Sequence, residues 1–178
     1  MSDNADLKAL IRTIADFPAT GIQFRDITTL LLDGEGFGAS IDRMAALVAG
    51  PVDLVAGIEA RGFVFGAALA KALGAGLVLV RKAGKLPGET QAIDYALEYG
   101  SDSLEMHHDA VAGGQRVLLV DDLVATGGTA AATVDLLRKS GARVDQALFA
   151  IDLPDLGGAE KLRALGLQVD ALMAFEGE

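Results

Sequence analysis

VLLVDDLVATGGTA, Val117 to Ala130, joins an apolar run to two adjacent aspartates, a loop of small and hydroxylated residues, and an alanine-rich segment. The run lacks polar alternation, which predicts a strand buried on both faces. Asp121 and Asp122 then emerge at its carboxyl end. Neighbouring strand side chains point to opposite faces, yet a chain turning into a loop can swing both toward one ligand. Glycines in ATGGT, Ala125 to Thr129, let successive N–H groups converge on an anion, and a helix N-terminus adds unpaired donors and a positive dipole end. Thr126 and Thr129 offer hydroxyls, with Gly127 and Gly128 between them. Carboxylates accept hydrogen bonds from sugar hydroxyls. The loop therefore suits a phosphate monoester, and the aspartates suit a ribose joined to it. A plainer reading has aspartates opening a loop and glycines capping a helix. The ordered succession of acids, hydroxyls and glycines argues against that reading here.

Outward from this unit the pattern repeats. Apolar runs stand at Val52 to Ile58, Gly76 to Lys82, Arg116 to Asp122, Val144 to Asp152 and Val169 to Phe175. Helix-length segments, Gly62 to Leu73, Gly128 to Ser140 and Gly158 to Leu165, lie between them. Such alternation predicts an α/β fold, a mostly parallel central sheet with helices on both faces. Its ligands bind beyond the carboxyl ends of the strands. Before the first run, Leu7, Leu10, Ile11 and Ile14 predict an amphipathic helix over Ala5 to Ala15. Pro18 and Gly21 mark a loop entering an extended stretch, and Gly36 to Ala49 reads as a helix. Residues 82 to 108 break the alternation with Pro87 and several glycines; connections this long are usually functional or disordered. Alternation around Ile93, Tyr95, Leu97 and Tyr99 predicts a two-stranded ribbon there, read as a flexible lid.

The 178 residues suit one domain with a real core, and a hydrophobic fraction of 51% excludes a disordered chain. Net charge is −10, which disfavours binding to nucleic-acid phosphates or an anionic membrane surface. Lys71 and repeated glycines break the longest apolar stretch, and the first residues lack a secretory signal pattern. The chain has no cysteine, hence no disulfide and no thiolate metal site; a cytoplasmic setting fits. RKAGK, Arg81 to Lys85, gathers three basic residues in an acidic chain; a small-anion pocket and a solvated turn are equally good readings of it. The P-loop string is absent, and GEGFGA, Gly34 to Ala39, meets the dinucleotide pattern without the acid that a Rossmann unit places after its second strand. His107 and His108 are adjacent, the wrong spacing for two ligands on one helix face. Phe24 alone reads as core, and Glu98 alone as an ordinary carboxylate.

The chain resembles the type I phosphoribosyltransferases, whose signature is a hydrophobic strand, two acids and a small-residue phosphate loop. FPATGIQFRDIT, GIEARGFVFGAALA, VLVRKAGKLPGET, YALEYGSDSLEMHHDAV and GQRVLLVDDLVATGGTA fall in family order across nearly the whole chain. Ala19, Thr20 and Gln23 depart from residues more often proline and aliphatic there. The resemblance implies one domain over 1–178, with a hood and base-binding segment at 1–35 and a flexible lid at 82–108. It implies transfer of the 5-phosphoribosyl group from 5-phosphoribosyl-1-pyrophosphate to adenine, giving AMP and pyrophosphate, with Mg²⁺ carried by substrate oxygens rather than a protein ligand set, and a homodimer. Xanthine or hypoxanthine as the base is the alternative within the class. A non-catalytic ribosyl-pyrophosphate sensor is the alternative outside it, although such a protein needs a basic DNA-binding module. Residue by residue, the resemblance gives Asp121 and Asp122 the ribose hydroxyls, and Ala125, Thr126, Gly127, Gly128 and Thr129 the 5′-phosphate. Arg61 and its neighbours in EARG, Glu59 to Gly62, form the pyrophosphate loop, and Arg81, Lys82 and Lys85 meet the pyrophosphate. Phe24 and Leu123 sandwich the purine with Arg25 beside it, Tyr99 approaches the reacting centre, and Glu98 is the acid/base at N7.

Overall fold

The protein is described here by a computed structural model covering residues 4–96 and 100–177. Five parallel strands form its centre: β3 (Leu54–Ile58), β4 (Gly76–Lys82), β7 (Arg116–Val124), β8 (Arg143–Asp152) and β9 (Gln168–Ala174). Two antiparallel strands, β5 (Thr90–Ala96) and β6 (Ser101–His107), extend one edge, so the seven-stranded order is β5-β6-β4-β3-β7-β8-β9. The boundaries expected from the apolar runs hold to within two residues for every parallel strand.

Period-two alternation places each central strand in two cores at once. On β7, Val117 and Leu119 join one core while Leu118 and Val120 join the other; on β8, Ala147 and Phe149 oppose Leu148 and Ala150. Helices α5 (Gly128–Lys139) and α6 (Gly158–Ala164) cover the first core through Val134, Leu137 and Leu162. Helices α3 (Gly34–Ala46) and α4 (Gly62–Leu73) cover the second through Met44, Phe65 and Leu69. Helix α3 starts two residues earlier than its apolar pattern predicts, because the Asp33 carboxylate caps it by accepting from the Gly36 N–H at 2.8 Å. Strand β4 leaves an apolar face open. Leu77 and Leu79, on one face of β4, are each 39% exposed.

The N-terminal segment corrects the expectation of a helix over Ala5 to Ala15. Helix α1 covers only Ala5–Lys8, and β1 (Arg12–Ala15) then pairs antiparallel with β2 (Gln23–Asp26) in a separate two-stranded sheet. Leu7 and Ile11 still reach the core, but Ile14 does not. β-branched Ile11, Thr13 and Ile14 favour an extended backbone, and the Arg12–Asp26 ion pair locks the two strands in register. A short helix α2 (Thr28–Leu32), not expected from the sequence, follows.

The Arg12 guanidinium, helped by the Thr28 N–H, lowers the buried Asp26 carboxyl to about 2. A lowered acid binds fewer protons folded than unfolded, so its stabilisation is present above about pH 4 and is lost as pH falls through its folded value. An Asp26→Asn variant should therefore melt below the wild type at neutral pH. The gap in melting temperature should shrink progressively between about pH 4 and 2. A gap independent of pH would show that the charge of Asp26 does not stabilise the β1–β2 sheet.

Candidate functional site

The carboxyl ends of β3, β4 and β7 open into one cleft of about 450 Å³. It is lined by the turn after β3 (Ile58 to Arg61), by Lys82 at the end of β4, by Tyr95, Asp102 and Leu104 of the β5–β6 ribbon, and by every residue from Asp121 to Ala130. The two aspartates and the glycine loop thus share a single cavity, at the place where parallel α/β sheets bind ligands.

Backbone close approach builds this end of the cleft. A Cβ on Gly62 would stand 2.6 Å from the Asp121 Oδ1 and 3.1 Å from the Val120 carbonyl oxygen. Glycine at that point lets the turn after β3, whose Glu59–Ala60 peptide is cis, lie against the end of β7. Gly127 is buried at φ +71°, and α5 begins at the next residue. The first-turn N–H groups of a helix have no intrahelical acceptors. Here they belong to residues that border the cleft.

Burial dominates the electrostatics of the acid pair. Burial, followed by the charge of Asp122, pushes the Asp121 carboxyl well above the usual carboxylate range. Asp122 is also raised by burial, with the Arg61 guanidinium opposing the shift. Its Oδ2 stands 2.8 Å from the Arg61 Nε, a charge contact that lacks hydrogen-bond alignment. The Asp122 N–H donates to the Asp121 Oδ1 at 2.8 Å. The Arg61 guanidinium carbon also lies 5.4 Å from the Phe24 ring centroid, so one cation touches both the acid pair and β2.

The basic cluster divides. Lys82 reaches the cleft, where its Nζ meets the Asp102 Oδ2 at 3.1 Å. Asp102 holds the Lys82 ammonium above its usual range, while the Ser103 N–H and then Lys82 hold Asp102 low. Arg81 instead donates twice to the Glu59 carboxylate, at 3.0 and 3.2 Å, and to the Lys85 carbonyl at 2.9 Å. The Lys85 side chain is exposed outside the cleft lining, and its N–H donates to the Glu105 Oε1. Neither Phe24 nor Arg25 of the N-terminal segment lines the cleft. Phe24 packs edge-on against Phe17 with centroids 5.2 Å apart. The Arg25 guanidinium lies over the Phe175 ring and bonds Thr13 and the Glu176 carbonyl, outside the cleft lining. Leu123 lines the cleft. Glu98 and Tyr99 lie outside the described residues.

Two polar lining residues, Tyr95 and Asp102, were not singled out from the sequence as site residues, and neither were the apolar Ile58, Leu104, Val124 and Ala130. The Tyr95 hydroxyl is 3.3 Å from the Thr129 Oγ1 and 3.5 Å from the Asp102 Oδ2, which lays the ribbon across the Ala125 to Thr129 loop. The alternation around Tyr95 was the available signal, since one face of a two-stranded ribbon must turn toward the sheet that carries it.

The family model described as the phosphoribosyl transferase domain matches residues 29–155. An adenine phosphoribosyltransferase of Erythrobacter litoralis is 60% identical over 174 residues, covering 97% of both chains. One from Bradyrhizobium sp. strain BTAi1 is 58% identical over 178 residues, covering 99% of both. Among solved structures, the adenine phosphoribosyltransferase of Thermoanaerobacter pseudethanolicus superposes with a TM-score of 0.92 at 50% identity, over 96% of this chain and 99% of that one. The Saccharomyces cerevisiae enzyme, solved with an imino-altritol bisphosphate and adenine, gives 0.87 at 38% identity over 97% and 99%.

Proposed function

This chain belongs to the phosphoribosyl transferase family, and from that premise we propose that it joins adenine to 5-phosphoribosyl-1-pyrophosphate, giving AMP and pyrophosphate in purine salvage. The observation that carries this reading is the convergence of Asp121, Asp122 and the loop Ala125 to Thr129 on one cleft. A phosphorylated pentose asks for that combination: amides and hydroxyls for a dianion, and acceptors for a diol.

Breaking the C1′–O bond leaves positive charge on the ribose ring and negative charge on the departing pyrophosphate. In this reading Asp121 and Asp122 hold the 2′- and 3′-hydroxyls and lie along the cationic ring, while Thr126, Gly127, Gly128 and Thr129 fix the 5′-phosphate. Lys82 and Arg61 supply positive charge toward the leaving group, and Arg81 acts through Glu59 by bracing the turn that carries Arg61. Phe24 and Leu123 flank the base, and Glu98 takes up the proton that leaves the purine at N7. Such catalysis is chiefly positioning and preorganised charge. The hood (1–35) and the ribbon (82–108) close the site against water, which would otherwise capture the ribosyl cation.

Mg²⁺ belongs to this reading as a cofactor carried by the substrate. Among the described residues no group of three potential ligands stands together, and an ion held by phosphate oxygens and waters requires none. Bound there, it would neutralise charge on the leaving pyrophosphate. We also read the half-exposed Leu77 and Leu79 as support for a homodimer. Among the described residues no helix is long and apolar enough to cross a membrane. We place the enzyme in the cytoplasm, because its ribosyl donor and its nucleotide product are too charged to cross a bilayer unaided.

The test is pyrophosphate release from the ribosyl donor and Mg²⁺ with adenine, hypoxanthine or xanthine supplied in turn. Release with adenine alone is expected. Release with an oxopurine in preference to adenine would move the enzyme to another base, and donor binding without release would make the protein a sensor.

A further inference from the structure

The phosphate loop is braced from behind by a residue distant in sequence. The turn Pro154–Leu156 after β8 leads through Gly157 into α6, and Gly158, the first residue of that helix, lies against the loop. The Gly158 N–H donates to the Ala125 carbonyl oxygen at 3.0 Å. A Cβ on Gly158 would overlap that oxygen and stand 2.6 Å from the Gly127 nitrogen. Reciprocally, a Cβ on Gly127 would stand 2.8 Å from the Gly158 carbonyl oxygen and 3.0 Å from its Cα. All of these neighbours are backbone, so no rotamer change relieves the contact. Gly157 differs: its φ is +70°, and a Cβ there would meet nothing within 4 Å. One glycine is required by conformation, the next by contact.

The contact has a chemical consequence. A trans peptide is planar, and its C=O and N–H point in opposite directions. Anchoring the Ala125 carbonyl on Gly158 therefore directs the Thr126 N–H away from α6, and it keeps a repelling carbonyl oxygen engaged away from any bound anion. We propose that Gly158 is a positioning residue for the 5′-phosphate, acting through the Ala125–Thr126 peptide. This rests on the phosphoribosyl reading of the cleft.

Two variants separate contact from conformation. Gly158→Ala should raise the KM for the ribosyl donor and the Kd for ribose 5-phosphate by about tenfold or more, since displacements near 1 Å at a positioned group cost up to about a hundredfold. The KM for adenine should not change. Gly157→Ala should lower the melting temperature, because alanine is strained at positive φ, while ribose 5-phosphate affinity stays at the wild-type value. A folded Gly158→Ala protein that binds ribose 5-phosphate as the wild type does would overturn the proposal. Should that variant not fold, hydrogen exchange of the wild-type Gly158 amide decides: protection must rise when ribose 5-phosphate binds, and unchanged exchange refutes the bracing role. Wild-type protein that fails to bind ribose 5-phosphate at all would instead refute the assignment of the cleft.

Discussion

Glu98→Gln is expected to lower kcat by about 10²–10⁴-fold, the usual contribution of a positioned general acid or base, while affinity for 5-phosphoribosyl-1-pyrophosphate is preserved. As N9 of adenine bonds to C1′, the purine becomes cationic unless a proton leaves the ring, and a carboxylate at N7 can accept it. Glutamine keeps the size and an acceptor oxygen of the side chain but cannot take the proton. The flanking residues Tyr95 and Asp102 both line the cleft, and the proposed reading gives the ribosyl donor to other groups. The expected pattern is therefore a kcat loss with little change in donor KM, read by steady-state kinetics and by calorimetry with the donor alone. Turnover near the wild-type rate would take Glu98 out of the mechanism.

Arg81 shows what could not be read from residues alone. The resemblance placed it at the pyrophosphate, but the destination of a cation depends on which acid folds beside it. Glu59 and Arg81 sit far apart in sequence and meet because β3 and β4 are parallel neighbours. Nothing local in RKAGK announces that pairing. Lys82, one residue on, faces the cleft, as strand alternation requires of neighbours. One of the three clustered cations thus lines the cavity, one braces it, and Lys85 anchors a turn through its main chain.

The parallel strands were legible because burial on both faces leaves an unbroken apolar signature. The N-terminal segment was less so. Leu7, Leu10, Ile11 and Ile14 satisfy a helical period, yet the pairing of β1 with β2 overrides it from Arg12 onward. A short β-branched segment with a partner strand nearby is the case in which periodicity misleads. Gly158 was invisible for a related reason. Glycine at the first position of a helix is ordinary, and only the packing of α6 against the loop reveals that a single methyl group has no room there.

Asp122→Ala should weaken ribose 5-phosphate and AMP binding by about tenfold or more, because a hydrogen bond to a charged group is worth roughly 1.5–3 kcal/mol. A second measurement separates a binding role from a structural one. Asp122 is almost fully buried, and that burial raises its carboxyl above the usual range despite Arg61. A raised acid binds more protons folded than unfolded. Its ionised form therefore opposes folding above its folded pKa, and the penalty fades as pH falls toward the unfolded value near 4. Removing the carboxylate relieves this penalty, and the Arg61 side chain, 44% exposed, can hydrate once its partner is gone. The variant should bind worse yet melt no lower than the wild type at neutral pH, and any gain in melting temperature should shrink on acidification. Paired losses of affinity and stability would mean that Asp122 serves the fold. Unchanged affinity would remove it from the ribose site.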